Sequence, residues 1–406
     1  MRGNIPSVSE GLFGLSVFGF RACAEAFGLV LGEKGGRSTA AAWRRGLKSP
    51  SNDEEGVATA PNPAPFASMS PAALEELKPG SKPEVASWYS LVPFGEGPCP
   101  RVGHVSFHLP NNKKGTVLIV GGADPNGSFS DSYTLDLDAH KWSAPKWSGL
   151  LPRYEQAAFI PESQPTKLWV FGGASEGGNR NCLQVLDLQT GTWEKPEVSG
   201  TPPSIRTFHT STAAIGDRLY VFGGGDKGAD PVQDQQLHIF DSATLTWLQP
   251  EVSGQAPTPR HGHAMVAVGS RLFIHGGLAS DTFYGDLFSI DITEMKWESL
   301  PSTGSIPGGR AAHSAVAFRD HLYIFGGMDP TGALDTMYKY HIEKGHWTQL
   351  EFKTALPAGR LDHSMCIIPW EAPSPGNSGP THLCLIFGGM DIKGEIYGDC
   401  VVSVLE

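Results

Sequence analysis

Six times along the 406-residue chain, a short apolar run closes on two adjacent glycines. The runs read LIVGG ending at Gly122, WVFGG at Gly173, YVFGG at Gly224, FIHGG at Gly277, YIFGG at Gly327 and LIFGG at Gly389. Their first glycines, Gly121, Gly172, Gly223, Gly276, Gly326 and Gly388, are 51, 51, 53, 50 and 62 residues apart. Recurrence at a period of this size means one supersecondary unit copied along the chain, each copy burying its apolar faces against its neighbours.

Two further markers run in phase with the glycines. Arg101, Arg153, Arg206, Arg260, Arg310 and Arg360 precede successive pairs, and five of them begin an Arg-x-x-His that ends in His104, His209, His263, His313 or His363. The second copy has Gln156 in the His place. Trp88, Trp142, Trp193, Trp247, Trp297 and Trp347 each lie 13 residues before the next Arg, except Trp142, which lies 11 before Arg153.

Each unit reads as four short strands. The stretch after the Arg (as in 313–318) is β-rich, and so is the run that the glycines end. A third strand carries an Asp, as at Asp291, and a fourth carries the tryptophan. Four strands per unit of about 50 residues make a propeller blade, so the fold class is all-β, a six-bladed β-propeller. The glycine pairs are expected to admit a close backbone approach, with the tryptophan of the outer strand filling the space. The six tryptophans therefore read as core packing.

The order of the markers predicts how the ring closes. No tryptophan follows the last glycine pair, and Trp88 stands before the first Arg at the usual distance. The segment around Trp88 is thus expected to supply the outer strand of the last blade, sealing the ring with strands from both ends of the chain. The wide last interval marks an insertion, the Pro/Gly/Ser-rich stretch at 371–380, expected to be an exposed loop.

Composition agrees with short strands and tight turns: 50 Gly, 32 Pro and 10 Trp, with only 18% charged residues. The net charge of −11 belongs to the body of the chain, because residues 1–80 hold eight Lys/Arg and eight Asp/Glu. An acidic body with no basic cluster disfavours nucleic acid and anionic membrane surfaces. The six cysteines are scattered without a CxxC pair, which reads as free thiols and not as a disulfide framework. Residues 11–20 are apolar, but Arg21 and Glu25 interrupt the run, so no membrane span of roughly 20 residues is expected. Glu10 sits where a signal peptide needs basic charge. Residues 1–83 are expected to be a disordered leader and linker, with 84–406 the folded domain. Truncation to about residue 80 is then expected to be tolerated, and truncation past Trp88 not.

The RxxH, glycine-pair and tryptophan series resembles the kelch repeat over about residues 85–406. More narrowly, the stretches at 206–225, 332–341 and 357–370 are similar to kelch-motif effectors of a late-endosomal Rab GTPase. That resemblance implies a cytoplasmic protein that binds the GTP-loaded Rab and acts in transport from endosomes to the trans-Golgi network. It also implies peripheral recruitment to endosomal membranes through partners, including a phosphoinositide kinase. The leader before about Leu77 departs from the family pattern.

No catalytic constellation accompanies the repeats, so the chain reads as a protein-binding scaffold and not an enzyme, with no cofactor or metal. The histidines of the Arg-x-x-His series recur one per blade, as structural residues do, and not as a ligand set. The nearest approach to an iron-type Glu-x-x-x-Asp-x-x-x-His series is Glu395 and Asp399, followed by Ser403. Gly223, Gly224 and Gly225 lack the Lys-Ser/Thr of a phosphate loop. The alternative reading is a substrate-recognition subunit of a ubiquitin ligase. Binding is expected on the loops after the glycine pairs, at 124–130, 175–181, 226–233, 279–284 and 329–334, with Arg180, Lys227 and Phe283 as candidate contacts. A closed ring needs no partner strand, so a monomer is expected.

Overall fold

The computed structural model describes residues 73–110, 113–207, 213–227, 230–370 and 380–406. Most of the expected leader, His209 and most of the insertion at 371–380 lie outside the described residues. Among the described residues there is no helix, and the strands form a six-bladed β-propeller. Blade 1 is Val105–Leu109, Thr116–Val120, Ser132–Asp136 and Lys141–Ser143, from inner to outer strand. Blade 2 is Ala157–Phe159, Lys167–Phe171, Leu183–Asp187 and Thr192–Glu194, and blade 3 is Ala214–Ile215, Arg218–Val221, His238–Asp241 and Thr246–Leu248. Blade 4 is Ala264–Val268, Arg271–His275, Leu287–Asp291 and Lys296–Ser299, and blade 5 is Ser314–Phe318, His321–Phe325, Met337–His341 and His346–Gln349. Blade 6 is Ser364–Trp370, Thr381–Phe387, Cys400–Val404 and, from the other end of the chain, Trp88–Leu91.

The second strands are apolar without alternation because both of their faces are buried. In blade 1, Val117 and Ile119 face blade 6, whereas Leu118 and Val120 face blade 2. Six apolar clusters accordingly fill the six interfaces between neighbouring blades.

The tryptophans occupy these interfaces, not the space beside the glycines of their own blades. Each packs on the residue just before the glycine pair of the preceding blade. Trp247 lies 4.8 Å from Phe171, Trp297 5.2 Å from Phe222, Trp347 5.2 Å from His275, Trp88 5.2 Å from Phe325 and Trp142 5.9 Å from Phe387, between ring centroids. Trp193 shares its cluster with Val120. What approaches the glycines is backbone. A Cβ on Gly326 would stand 2.6 Å from the Arg360 carbonyl oxygen of the next blade, and one on Gly327 would stand 2.6 Å from that of Ala311. Both glycines also hold left-handed φ values, +67° and +86°, so the position excludes other residues twice over.

The buried arginines explain that approach. In every blade the guanidinium donates to the carbonyl of the first glycine of its own pair, at 2.9–3.2 Å. In four blades it also reaches a carboxylate at the start of the third strand: Asp131, Asp234, Asp286 or Asp399. The arginine's own carbonyl accepts the N–H of the second glycine of the preceding blade, as from Gly389 to Arg101 and from Gly327 to Arg360. One residue thus holds its own blade by its side chain and the previous blade by its backbone.

Trp88–Leu91 pairs antiparallel with Cys400–Val404, with Trp88 opposite Ser403 and Leu91 opposite Cys400. The blade extends further than the expected boundary at 84. Glu75–Glu76 adds in parallel beside Tyr89 and Ser90, Leu77 is buried in the interface of blades 6 and 1, and Trp370 Nε1 donates to the Ser81 carbonyl at 2.9 Å. Blades 4 and 5 gain similar two-residue outer strands, Ser253–Gly254 and Thr303–Gly304, where the incoming linker pairs before crossing to the Arg. These covers shield the outer edges, which four strands alone would leave open.

Two outcomes follow from this packing. Leu77→Ala is expected to cost about 2–5 kcal/mol, so a chain starting at residue 83 melts measurably below one starting at 73. Urea unfolding of the two truncations checks it. In blade 5 the acidic partner is replaced: Thr336, with Oγ1 3.3 Å from Arg310 Nη1, stands where four other blades offer Asp. Thr336→Asp restores a charge-assisted pair and is expected to raise stability by about 1 kcal/mol, read as a higher melting temperature.

Candidate interaction face

The Arg segments and the glycine pairs lie at one end of the ring, together with the linkers between blades and the loops joining second to third strands. These loops are not irregular. Five of them fold into small hairpins: Ala123–Asp124 with Gly127–Ser128, Ala174–Ser175 with Gly178–Asn179, Gly225–Lys227 with Asp230–Pro231, Leu278–Ala279 with Thr282–Phe283, and Met328–Asp329 with Gly332–Ala333. Asx turns set the tips: Asp124 Oδ1 accepts the Asn126 N–H at 2.8 Å, and Asp329 Oδ1 accepts that of Thr331 at 2.7 Å. The Asp-Pro-Asn-Gly and Asp-Pro-Thr-Gly sequences carried this signal.

The three candidate contacts come from consecutive blades on this face. Arg180 is half-buried, and its Nη2 donates to Ser175 Oγ at 2.9 Å, so it braces its own hairpin. Lys227 ends the first arm of the blade 3 hairpin. Phe283 is half-buried against a rim cluster of Val102, Ala312, Met328, Leu361 and Met390. Neighbouring hairpins are also joined directly: Glu176 accepts from Ser128 Oγ at 2.8 Å, and Asn179 Nδ2 donates to the Asp226 carbonyl at 2.8 Å. Sequence reasoning missed the exposed apolar residues on the linkers. Leu151, Ile205, Ile306 and Leu356, each within four residues of a buried Arg, are 37–50% exposed. Apolar side chains among Ser, Gly and Pro were the available clue.

Charge on the face is mainly negative. The hairpins and the matching loop of blade 6 carry Asp124, Glu176, Asp226, Asp281, Asp329 and Asp391 against Arg180, Lys227 and Lys393.

At the centre of the face the backbone narrows to a ring. Among the described residues, those before an Arg-x-x-His histidine or before Gln156 bond across to their neighbours: Asp362 N–H to the Ala312 carbonyl, Gly103 to Asp362, Glu155 to Gly103 and Ala312 to Gly262, at 2.6–3.0 Å. Below it lies a cavity of about 110 Å³, lined by His104, His263, His313 and His363 with Ser106, Ser314 and Ser364.

The histidines serve the scaffold. His104 Nε2 lies 2.8 Å from Ser364 Oγ of blade 6. His363 Nε2 is 2.6 Å from Ser314 Oγ, and His313 Nε2 is 3.0 Å from His275 Nδ1. Gln156 does the same work in blade 2, donating to the Val120 carbonyl at 3.1 Å. Among the described residues, no three His, Cys, Asp or Glu side chains converge as a metal set. Burial depresses the imidazoles, His104 and His275 to about 3 and His313 and His363 well below their ordinary value. Burial also pushes the Asp362 carboxyl up to about 7.

These features define a class: a propeller whose strands are committed to the packing between blades, with hairpins and linkers gathered at one end of the ring. The KLHDC2/KLHL20/DRC7 Kelch-repeats domain matches residues 108–327 and 214–405, and the chain belongs to the kelch-repeat family. Among its relatives is the human (Homo sapiens) "Rab9 effector protein with kelch motifs", 58% identical over 369 residues, covering 82% of this chain and 99% of that protein. The proteins of the same name from Gallus gallus and Danio rerio are 59% and 56% identical, covering 83% and 81% of this chain and 100% and 98% of theirs.

The depressed imidazoles predict the pH dependence of folding. They are neutral when folded and titrate near 6.5 when unfolded, so below that pH the unfolded chain binds more protons. Their contribution to stability is full above about pH 6.5 and falls as pH drops toward the folded value of about 3, while the raised Asp362 carboxyl acts in the opposite sense as pH rises toward 7. His104→Gln, copying position 156, removes one of these groups. Its urea midpoint is expected to fall less steeply between pH 6.5 and 4 than that of the parent chain.

Proposed function

We propose that this chain is a non-catalytic Rab effector, holding a GTP-loaded, late-endosomal Rab on the hairpin face of its propeller. The observation that carries the reading is the 58% identity along 99% of the human Rab9 effector protein with kelch motifs. The fold supports it, because the strands are committed to blade interfaces and the hairpins and linkers are the part left to vary. Exposed apolar linker residues beside polar hairpins make the mixed surface that transient protein partners use. Transport from endosomes to the trans-Golgi network, cytoplasmic residence with peripheral recruitment to endosomes, and contact with a phosphoinositide kinase belong to the same proposal. No helix among the described residues is long and apolar enough to cross a membrane, which accords with recruitment through partners. A closed ring with covered outer edges accords with a monomer.

The test is binding of the full chain to Rab9 loaded with a GTP or a GDP analogue. The GTP form is expected to be retained preferentially. Arg180→Glu, Lys227→Glu and Ile306→Asp are each expected to weaken binding about tenfold or more, the last two with an unchanged melting temperature. Phe283→Asp also disturbs the rim cluster and is the less clean probe. Equal retention of both nucleotide forms, or none, overturns the effector reading and makes ligase substrate recognition the next function to test.

A further inference from the structure

We propose that the mouth of the central channel is a receptor for one cationic side chain, an arginine or lysine carried on a protruding segment of a partner protein. The inference rests on the reading that the hairpin face binds a protein, and adds the chemistry that its centre selects.

Among the described residues, the charge at the mouth is set by the residue before each ring histidine or Gln156; the blade 3 position, Phe208, lies outside the described residues. In blades 1, 4 and 5 this residue is Gly103, Gly262 or Ala312, which puts little or no side chain there. In blades 2 and 6 it is Glu155 or Asp362, both in left-handed backbone with φ of +54° and +53°. Carboxylates are not needed to hold that backbone; glycine holds it without strain in two of the other blades. The acids flank Gly103, which bonds to both by its peptide group and puts no side chain between them.

Asp362 is the sharper signal. Its Oδ2 is closed off from solvent and meets no hydrogen-bond donor among the described residues. Burial alone raises the cost of its charge, with no cation beside it to offset that cost. Glu155 is held ready on the other side by Thr207, whose Oγ1 donates to it at 2.5 Å. The cavity below, about 110 Å³, has room for a guanidinium or ammonium head. Around it, Asp281, Asp329, Asp391 and Glu395 give the approach a negative field that draws cations inward. A forked guanidinium between two desolvated carboxylates is the strong form of charge-assisted hydrogen bonding.

The experiment titrates the full chain with the peptide acetyl-Gly-Gly-Arg-Gly-Gly-amide and with its citrulline counterpart, by calorimetry. The arginine peptide is expected to bind. The citrulline peptide, and the arginine peptide on an Asp362→Asn/Glu155→Gln chain, are expected to bind at least about tenfold more weakly. Melting temperatures confirm folding. Should the double variant unfold, Asp362→Asn alone carries the comparison, since it removes an uncompensated charge. No binding, equal binding of the two peptides, or unchanged binding by the variants overturns the proposal. So does saturation by magnesium or calcium alone with the same loss in the variants, which makes the site a metal site. The same variants against Rab9 separate the two readings. Preferential Rab9 binding without an arginine-peptide response defeats only the channel receptor, and an arginine-peptide response without Rab9 binding defeats only the effector reading.

Discussion

The ring depends on the buried arginine that begins each inner strand. Its guanidinium is removed from water, a state tolerated only when hydrogen bonds and a counter-charge surround it. The first glycine's carbonyl, and in four blades an aspartate, provide that environment inside the blade. Its carbonyl is then fixed in place and meets the second glycine of the preceding blade. The close contact excludes any Cβ at the glycines, so two sequence markers of the repeat are two sides of one interaction.

The tryptophan completes the same interface from the outside. It lies on the residue that introduces the glycine pair of the preceding blade, so the polar clasp near the axis and the aromatic wedge further out join the same two blades. A blade removed from the ring would lose both at once. That is why the last blade must borrow its outer strand from the N-terminal side, and why Leu77 and Ser81 are drawn in behind Trp88. With every strand committed in this way, variation is left to hairpins, linkers and the few side chains at the channel mouth.

Much of this was legible in the sequence. The period, the three markers in phase and the displaced Trp88 were enough to count blades and predict the closure, because each reflects a contact repeated identically. The candidate face was legible only in outline. The loops at 124–130 and 329–334 were visible as places where the copies differ, yet their Asx-turned hairpins depended on reading Asp-Pro-x-Gly as a structural signal. Glu155, in the Arg-x-x-Gln of the second copy, and Asp362, in the Arg-x-x-His of the sixth, were hidden at a position that none of the three repeat markers occupies.

The sequence by itself determined the number of blades, the strand order within each and the residues reserved for packing, since these follow from local periodicity repeated along the chain. Only the tertiary structure decided what those residues pack against. The tryptophans reach across to the preceding blade instead of filling their own, the outer edges recruit short linker strands, and Glu75–Glu76 extends the last sheet past the expected boundary. The channel mouth is the clearest case. Glu155 and Asp362 are 207 positions apart in sequence and become neighbours across Gly103 only because the ring closes. Contacts set by closure depend on the geometry of all six blades together, and no single repeat encodes them.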